Sequence, residues 1–503
     1  MGRKGGIKAG LVFSYILLIV NMLYGLFITP FILGQIGQSA YGVYKSVASL
    51  SSSLAVLDLG LGATTTRYMS LYNAKNDKAQ ASNFWVMISI PCAILAAILS
   101  VVGIGARFMV PTIYAQTFSP DQIQQAQALV SVLVLNMVLR LFENLLYGIL
   151  NGYERFGLSN GIKLSALLFK ILMILVLLPL TKNILFVLLA ETGVVIVASL
   201  FFLYYIICRI GIRPKLVQWD RAVFKEAFGY TALMFIQTVT VQFNGNVDNI
   251  LIGAKVSAAS VAVYAMALLV FNMYENLSGS IANLMLPRMI RRVVAGDSPE
   301  QLQASVERSG RFQFMLLGAA LGGFIVLGRD FYQLWLGDGY TDCYYLTLIL
   351  MIPVTFPMIQ NVCLSVLRAQ NRMLYRTITL AISCGVNILV SLIGLHFWGY
   401  WGAALGTAAA TIANLIFMNA YYHRVLKFRV FAMFGRILGK TVIGVVLASA
   451  LTALLHRFVF GSWIAFGVNV VAYCAVYGVC LFAFSLSKDE RNALLRKMGV
   501  KKV

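Results

Sequence analysis

Long apolar stretches recur along the whole chain, and they restrict its fold more than any other feature of the sequence. A hydrocarbon core of about 30 Å requires about 20 apolar residues in a helix that rises about 1.5 Å per residue. The 503 residues are 60% hydrophobic and only 12% charged, with a mean hydropathy of +0.82. Soluble globular domains are far less apolar, so the sequence predicts an all-α integral membrane protein.

The apolar stretches divide into about fourteen predicted transmembrane spans. Their approximate bounds are 11–33, 41–66, 84–106, 125–151, 157–180, 184–208, 227–253, 258–287, 312–329, 343–367, 377–397, 402–423, 437–455 and 462–485. Cytoplasmic loops collect Lys and Arg, and most of the 40 basic residues fall on one side of the membrane in this arrangement. We therefore expect a multi-pass protein with both termini in the cytoplasm.

The formal net charge of +22 is spread over many short segments. Nucleic-acid-binding proteins carry a compact basic domain or stripe, so we expect no nucleic acid as a partner. The basic tail at 486–503 is expected to bind anionic membrane lipids as a short amphipathic helix; a solvated tail is the alternative. The seven cysteines and three histidines are dispersed, so we expect no metal and no cofactor.

Parts of the two halves of the chain repeat each other. YGILNGYERFGLSNGIKL is echoed by LSVLRAQNRMLYRTITL, where Leu150 matches Leu367 and Arg155 matches Arg372, each at an offset of 217. A second echo pairs FILGQIGQSAYGVY with ILIGAKVSAASVAVY. The sequence predicts two copies of a six-span bundle in the same orientation, related by a pseudo-twofold axis along the membrane normal.

The repeat gives the predicted domain organisation. It consists of an N-lobe at 1–215 (spans 1 to 6), a C-lobe at 216–430 (spans 7 to 12), two added spans at 431–485 and a basic cytoplasmic tail at 486–503. Parallel repeats in transporters enclose a site near the middle of the membrane. Charged residues near the centres of the spans are therefore the candidates for that site.

A charge inside a span costs at least about 2.5 kcal/mol on insertion scales, so it is placed next to a partner or a wet cavity. The intramembrane cations are Arg140, Lys163, Lys170 and Lys45, and the acids are Asp58, Glu143, Glu191, Asp248 and Glu275. Helical spacing puts Arg140 with Glu143, and Lys163 with Lys170, on shared faces. We expect a cationic cavity for an anionic cargo, because Arg suits phosphate geometry.

Salt bridges that only hold helices together are the alternative. They explain the pair on span 4 but leave the two lysines of span 5 without enough acids nearby. The second half lacks these charges, with Pro357 at the position of Arg140 and Asn387 at that of Lys170. Aromatic residues suited to stacking on sugars are Tyr24, Tyr41, Tyr44, Trp85, Phe142, Tyr147, Tyr274 and Trp401. An interfacial aromatic belt is the alternative for these residues.

The second span contains the stretch VLDLGLGATTTRY (56–68), which lacks the GxxxxGK[ST] pattern of a phosphate loop. Ser51, Asp58 and Thr65 recur every seven residues and form a polar stripe on one helix face. Gly60 and Gly62 allow another helix to approach closely or the helix to bend locally. Asp58 is expected to meet a lysine of span 5 or a coupling ion.

These motifs identify a resemblance. ILGQIGQSAYGVY followed by VLDLGLGATTTRY, GILNGYERF after span 4 and VLRAQNRM after span 10 resemble the Wzx-like oligosaccharide flippases of the polysaccharide transport family. Their superfamily, MOP, also holds the MATE exporters and the lipid II flippase. The resemblance covers essentially the whole chain and implies a MATE-like fold. It also implies that spans 13 and 14 resemble those that form a lipid-tail groove in the lipid II flippase.

The resemblance implies a function at the bacterial plasma membrane. An undecaprenyl-pyrophosphate-linked oligosaccharide would be moved from the inner to the outer leaflet for O-antigen, capsule or exopolysaccharide synthesis. The pyrophosphate would lie against Arg140, Lys163 and Lys170. Coupling to a proton or sodium ion would make the five intramembrane acids candidates for the ion site. A glycan polymerase and other polysaccharide assembly proteins would be partners.

Two other functions are weighed against a flippase. MATE-type multidrug exporters favour acidic cavities for cationic drugs, and the Lys and Arg excess in spans 4 and 5 argues against one. A membrane glycan ligase or polymerase needs a sizeable outer loop with positioned catalytic groups. The largest outer loops, about 107–124 and 330–342, are short, and the end of the first, SPDQIQQ, predicts a helix start, as SPEQLQ at 298–303 does. We therefore expect no enzyme.

Overall fold

In the computed structural model, the regular secondary structure of the described residues is entirely helical. The described residues are 12–13, 16–17, 19–54, 61–217, 219, 242, 245–370, 372–456, 461–485 and 491–492. Contacts within the chain divide it into two compact units, Met1–Ala265 and Met266–Val503, here called unit 1 and unit 2. The predicted lobe boundary at 215 stays a prediction, because residues 220–241 lie outside the described ones.

Unit 1 consists of long helices joined by short turns. The helices are α1 (Thr29–Leu54), α2 (Leu61–Ala74), α3 (Lys78–Ile113), α4 (Pro120–Gly152), α5 (Phe156–Thr181) and α6 (Ile184–Tyr205). A π-helical turn, Tyr24–Ile28, precedes α1, and another, Ile206–Ile210, follows α6. Residues 245–255 are also helical.

Unit 2 begins within α7 (Ala258–Val294), whose first residues belong to unit 1. Its other helices are α8 (Pro299–Leu336), α9 (Thr341–Ile359), α10 (Asn361–Ala369), α11 (Leu374–Trp398), α12 (Trp401–Val425), α13 (Val430–His456) and α14 (Trp463–Cys480). A short 3-10 turn, Asp338–Tyr340, precedes α9, and a π-helical turn, Leu481–Ser485, follows α14.

Eleven helical stretches within the described residues are long and apolar enough to cross a membrane, or twelve when the bent helix α13 is included. The predicted all-α, multi-span membrane fold is thereby confirmed, and the predicted number of fourteen spans is approximate. Predicted span 227–253 falls mostly outside the described residues, as do part of predicted span 41–66 and most of the basic tail.

The predicted break between the first two spans is present, whereas one later predicted span is interrupted. The run Thr29–Leu54, labelled α1, consists of two helices that meet at a kink at Gly37, within the predicted loop at 34–40, where the backbone has φ +81° and ψ 163°. Glycine adopts this positive φ without a steric penalty because it has no Cβ. The predicted span 343–367 is broken at Gln360, between α9 and α10. At the break the Gln360 N–H donates to the carbonyl oxygen of Pro357, three residues back, instead of to the one four residues back that continues an α-helix.

The two predicted helix starts are confirmed by their caps. The Ser119 hydroxyl accepts from the Gln122 N–H, and the Gln122 side chain accepts from the Ser119 N–H. Ser298 and Gln301 form the same reciprocal pair at the start of α8. A proline follows each serine, at a position where its missing N–H costs nothing. Local sequence therefore fixes where α4 and α8 begin.

Small residues hold α2 tightly against α4. A Cβ at Gly148 would lie 2.7 Å from the carbonyl oxygen of Gly62, and one at Gly152 would lie 2.4 Å from the Met69 Cβ. The Thr66 hydroxyl also donates to the carbonyl oxygen of Gly148 at 3.3 Å. The expected close approach at Gly62 is thus present, and it fixes the position of the helix that carries Arg140.

Candidate functional site

Charged side chains from four helices of unit 1 form the candidate site. We call this group the cationic cluster, and its members are Lys45 on α1, Arg140 and Glu143 on α4, Lys163 and Lys170 on α5, and Glu191 on α6. The short turns between α4, α5 and α6 make these helices neighbours in the chain. Residues that are up to 51 positions apart thereby come within hydrogen-bond distance.

Glu191 binds two of the cations. Its Oε1 lies 2.6 Å from Nη2 of Arg140, and its Oε2 lies 2.7 Å from Nζ of Lys170. Both carboxylate oxygens are therefore used, and the Glu191 side chain is only 13% exposed. The expectation that Lys170 lacks a nearby acid is wrong, because α6 places one directly against it. Helix-joining salt bridges thus explain more of the cluster than the sequence suggested.

The remaining acid of the cluster is on the same helix as Arg140. Glu143 Oε2 lies 3.6 Å from Nη1 of Arg140, as the spacing of three residues predicted. The Arg140 side chain is 47% exposed, whereas that of Glu143 is 10% exposed. Arg140 is consequently the cation of the cluster that is most accessible to a ligand.

Lys163 is held by an aromatic ring. Its Nζ lies 3.3 Å from the centroid of the Tyr147 ring, and the Tyr147 hydroxyl donates to Oδ1 of Asn160 at 2.8 Å. Glu143 lies within electrostatic range of Lys163, but no carboxylate in the described part of the chain forms an ion pair with it. A cation over an aromatic face is stabilised by about 2 kcal/mol when it is desolvated, so the Tyr147 ring favours the charged form of Lys163.

Tyrosines also surround the other two lysines. Lys45 Nζ lies 5.6 Å from the centroid of the Tyr41 ring and 5.9 Å from that of Tyr44. Lys170 Nζ lies 5.7 Å from the centroid of the Tyr24 ring, and its charge repels that of Lys45. With four cations and two carboxylates, the described members of the cluster carry an excess of two positive charges. A phosphate or pyrophosphate group matches this excess.

Of the other predicted acids, Asp248 and Glu275 take no part in these ion pairs. Asp58 lies outside the described residues. Asp248 is buried and accepts a hydrogen bond of 2.6 Å from the Tyr264 hydroxyl, beside an Asn249 side chain that donates to Ser49 on α1. Glu275 lies on the part of α7 that belongs to unit 2, and it forms no ion pair within the described part of that unit.

Sequence reasoning missed the roles of Tyr147 and Asn160. Tyr147 stands seven residues after Arg140 and four after Glu143 on α4, so it shares their helix face. That spacing was the signal in the sequence that Tyr147 lies close to the charged side chains of α4. The described residues contain no group of three or more His, Cys, Asp or Glu side chains arranged to hold a metal ion.

Solved structures with a similar fold are membrane transporters. The lipid II flippase MurJ in an inward closed conformation matches with a TM-score of 0.70 and 14% identity, over 97% of this chain and 99% of that chain. An inward-facing multidrug resistance MATE family transporter of the MOP superfamily matches with a TM-score of 0.64 and 16% identity, over 81% of this chain and 98% of that one. The fold is therefore that of a MOP-superfamily transporter.

A sequence model of the protein family described as lipid II flippase MurJ matches residues 59–472 of this chain. The chain belongs to this family. A curated relative, the uncharacterized membrane protein EpsK of Bacillus subtilis (strain 168), is 23% identical over 504 residues, which cover 95% of each chain. The expected membership of the flippase superfamily is confirmed, and the protein is a membrane flippase.

Proposed function

We propose that this flippase moves an undecaprenyl-pyrophosphate-linked oligosaccharide from the inner to the outer leaflet of a bacterial plasma membrane for surface polysaccharide synthesis. The observation that carries the proposal is the excess of positive charge in the cationic cluster. Arg140, Lys163 and Lys170 bind the pyrophosphate, while the prenyl chain stays in the lipid. Arginine and lysine donors suit phosphate oxygens, and a cluster that only joined helices would not need the excess cations.

The ion pairs of Glu191 suggest how transport is coupled to an ion. A bound pyrophosphate competes with Glu191 for Arg140 and Lys170, because both anionic groups use the same donors. Protonation of Glu191 frees both cations, so proton binding and anion binding favour each other. Alternating access of the two repeats then exposes the loaded site to the other leaflet. A sodium ion is the other candidate for the coupling ion.

The proposal is tested by neutralising the two lysines of α5. We expect Lys163→Gln with Lys170→Gln to lower the rate of flipping of a fluorescent lipid-linked oligosaccharide in proteoliposomes by at least about 100-fold, because two charge-assisted contacts are lost. Arg107→Gln with Lys255→Gln removes two exposed charges outside the cluster and should flip at the normal rate. Normal flipping by the α5 variant, with both proteins inserted equally, would exclude the cluster as the cargo site.

Lipid II is a second candidate cargo, and the family match favours it. Proteoliposomes that contain both lipids separate the two candidates, because the preferred lipid competes for transport of the other. In cells, mass spectrometry after depletion of the protein should identify the lipid-linked saccharide that accumulates on the inner leaflet.

The topology and the chemistry also belong to the proposal. Both termini lie in the cytoplasm, and labelling of single cysteines placed at each end with a membrane-impermeant reagent tests this.

The protein makes and breaks no covalent bond, requires no cofactor and works with a glycan polymerase and other assembly proteins. Intact cargo recovered from proteoliposomes after flipping would support transport without catalysis.

A further inference from the structure

The corner between α10 and α11 in unit 2 brings two arginines together. Arg368 is in the last turn of α10, and Arg376 is in the first turn of α11. The chain reverses between them, and the N–H of Arg372 closes the turn by donating to the carbonyl oxygen of Leu367 at 2.9 Å. Arg368 is exposed, Arg376 is partly buried, and the two charges repel each other.

Unit 1 has the same corner between α4 and α5, at the repeat offset of 217. There the Arg155 N–H donates to the carbonyl oxygen of Leu150 at 3.0 Å. Asn151 and Ser159 occupy the positions that correspond to the two arginines, and the Ser159 hydroxyl donates to Oδ1 of Asn151 at 2.9 Å. These two positions are therefore adjacent in the fold, and unit 2 has two positive charges where unit 1 has a neutral hydrogen-bonded pair.

No described carboxylate neutralises this pair. The acids at the start of α8 and in the loop before it, on the predicted cytoplasmic side, are engaged elsewhere: Asp297 with Arg292, Glu300 with Ser298, and Glu307 with Arg436. Among the described residues, no ion pair or side-chain hydrogen bond involves the guanidinium of Arg368 or Arg376. Two adjacent like charges, one of them partly buried, are unfavourable unless an anion binds between them.

The first turn of α11 adds hydrogen-bond donors at the same place. Met373, at the N-cap position of this 25-residue helix, makes no side-chain hydrogen bond to the first turn. Backbone N–H groups at such a helix start, together with the positive end of the helix dipole, favour a bound phosphate. Guanidinium groups match phosphate oxygens in the same way.

We propose that Arg368 and Arg376, with the start of α11, form a phosphate-binding site in unit 2 that is separate from the cationic cluster. Its ligand is a phosphate group, carried either by an anionic membrane lipid or by free inorganic phosphate. This site does not depend on which cargo the flippase moves, since it is built from residues of unit 2 alone.

The test uses the purified full-length protein and a variant that copies the corner of unit 1, Arg368→Asn with Arg376→Ser. Phosphatidylglycerol, phosphatidylcholine and inorganic phosphate are the probes, and binding is measured by native mass spectrometry. We expect the variant to bind phosphatidylglycerol, inorganic phosphate or both roughly 10- to 30-fold more weakly than the natural chain. The probe that loses affinity identifies the source of the phosphate.

Two controls keep the result interpretable. Arg291→Gln with Arg308→Gln removes two exposed arginines from other helices of unit 2 and should bind every probe normally. If the double corner variant is unstable, Arg368→Gln alone changes only an exposed side chain and should still weaken binding several-fold. Unchanged affinity of the corner variants for both anionic probes would overturn the proposal, as would an equal loss in the control.

Discussion

The two units carry their charges in different regions of the repeated fold: unit 1 in its spans, and unit 2 at the corner between two helices. Unit 1 has Arg140 and Lys170 in its spans, where unit 2 has Pro357 and Asn387. In unit 2 the buried Asn387 accepts a hydrogen bond of 3.0 Å from the Ser391 hydroxyl, so the equivalent region is polar and uncharged. At the corner the order is reversed, with a neutral pair in unit 1 and two arginines in unit 2. The framework tolerates charge in either region, and each unit uses one of them.

The largest expected effect comes from making the spans of unit 1 resemble those of unit 2. Glu191→Ala, which copies Ala408, leaves Arg140 and Lys170 without their shared carboxylate. We expect it to lower the free energy of unfolding by about 3 kcal/mol, because an unpaired charge remains in a low-dielectric region. Denaturant titration in mixed micelles measures this value.

The matched control removes both partners. Glu191→Ala combined with Lys170→Asn should cost less than Glu191→Ala alone, since fewer orphan charges remain. If the double variant is the less stable of the two, the Glu191–Lys170 ion pair is not what holds α5 to α6.

A smaller effect is expected where an aromatic ring supports a charge. Tyr147→Leu should lower the free energy of unfolding by about 2 kcal/mol, because it removes both the ring under Lys163 and the hydrogen bond to Asn160. Tyr147→Phe retains the ring and should cost only about 1 kcal/mol. Equal losses for the two variants in the same denaturant titration would show that the ring contributes nothing to holding Lys163.

The smallest effect has the opposite sign. Arg368→Asn with Arg376→Ser relieves the repulsion between two like charges, so in phosphate-free detergent it should raise the free energy of unfolding by about 1 kcal/mol. Added phosphate ligand should stabilise the natural chain and reduce this difference. A destabilised variant in the absence of ligand would mean that the arginines already have a stabilising partner.

The sequence predicted the features that depend on local patterns. The long apolar runs gave the helical membrane fold, the Ser-Pro starts gave the caps at Ser119 and Ser298, and a spacing of three gave the pair of Arg140 with Glu143. The break at Gln360 was missed because the run around it is apolar on average, although the polar pair Gln360 and Asn361 carried a signal. The role of Glu191 was missed because its pairing with Arg140 spans 51 residues and depends on how α4, α5 and α6 pack.

The turn hydrogen bond that the two corners share has an evolutionary consequence. It joins backbone atoms only, from Arg155 to Leu150 in one unit and from Arg372 to Leu367 in the other. Side chains next to it can therefore change without opening the turn. After a duplication, side chains at each copy of such a corner can be substituted while the chain continues to fold. Two substitutions separate the neutral corner of unit 1 from the candidate anion site of unit 2.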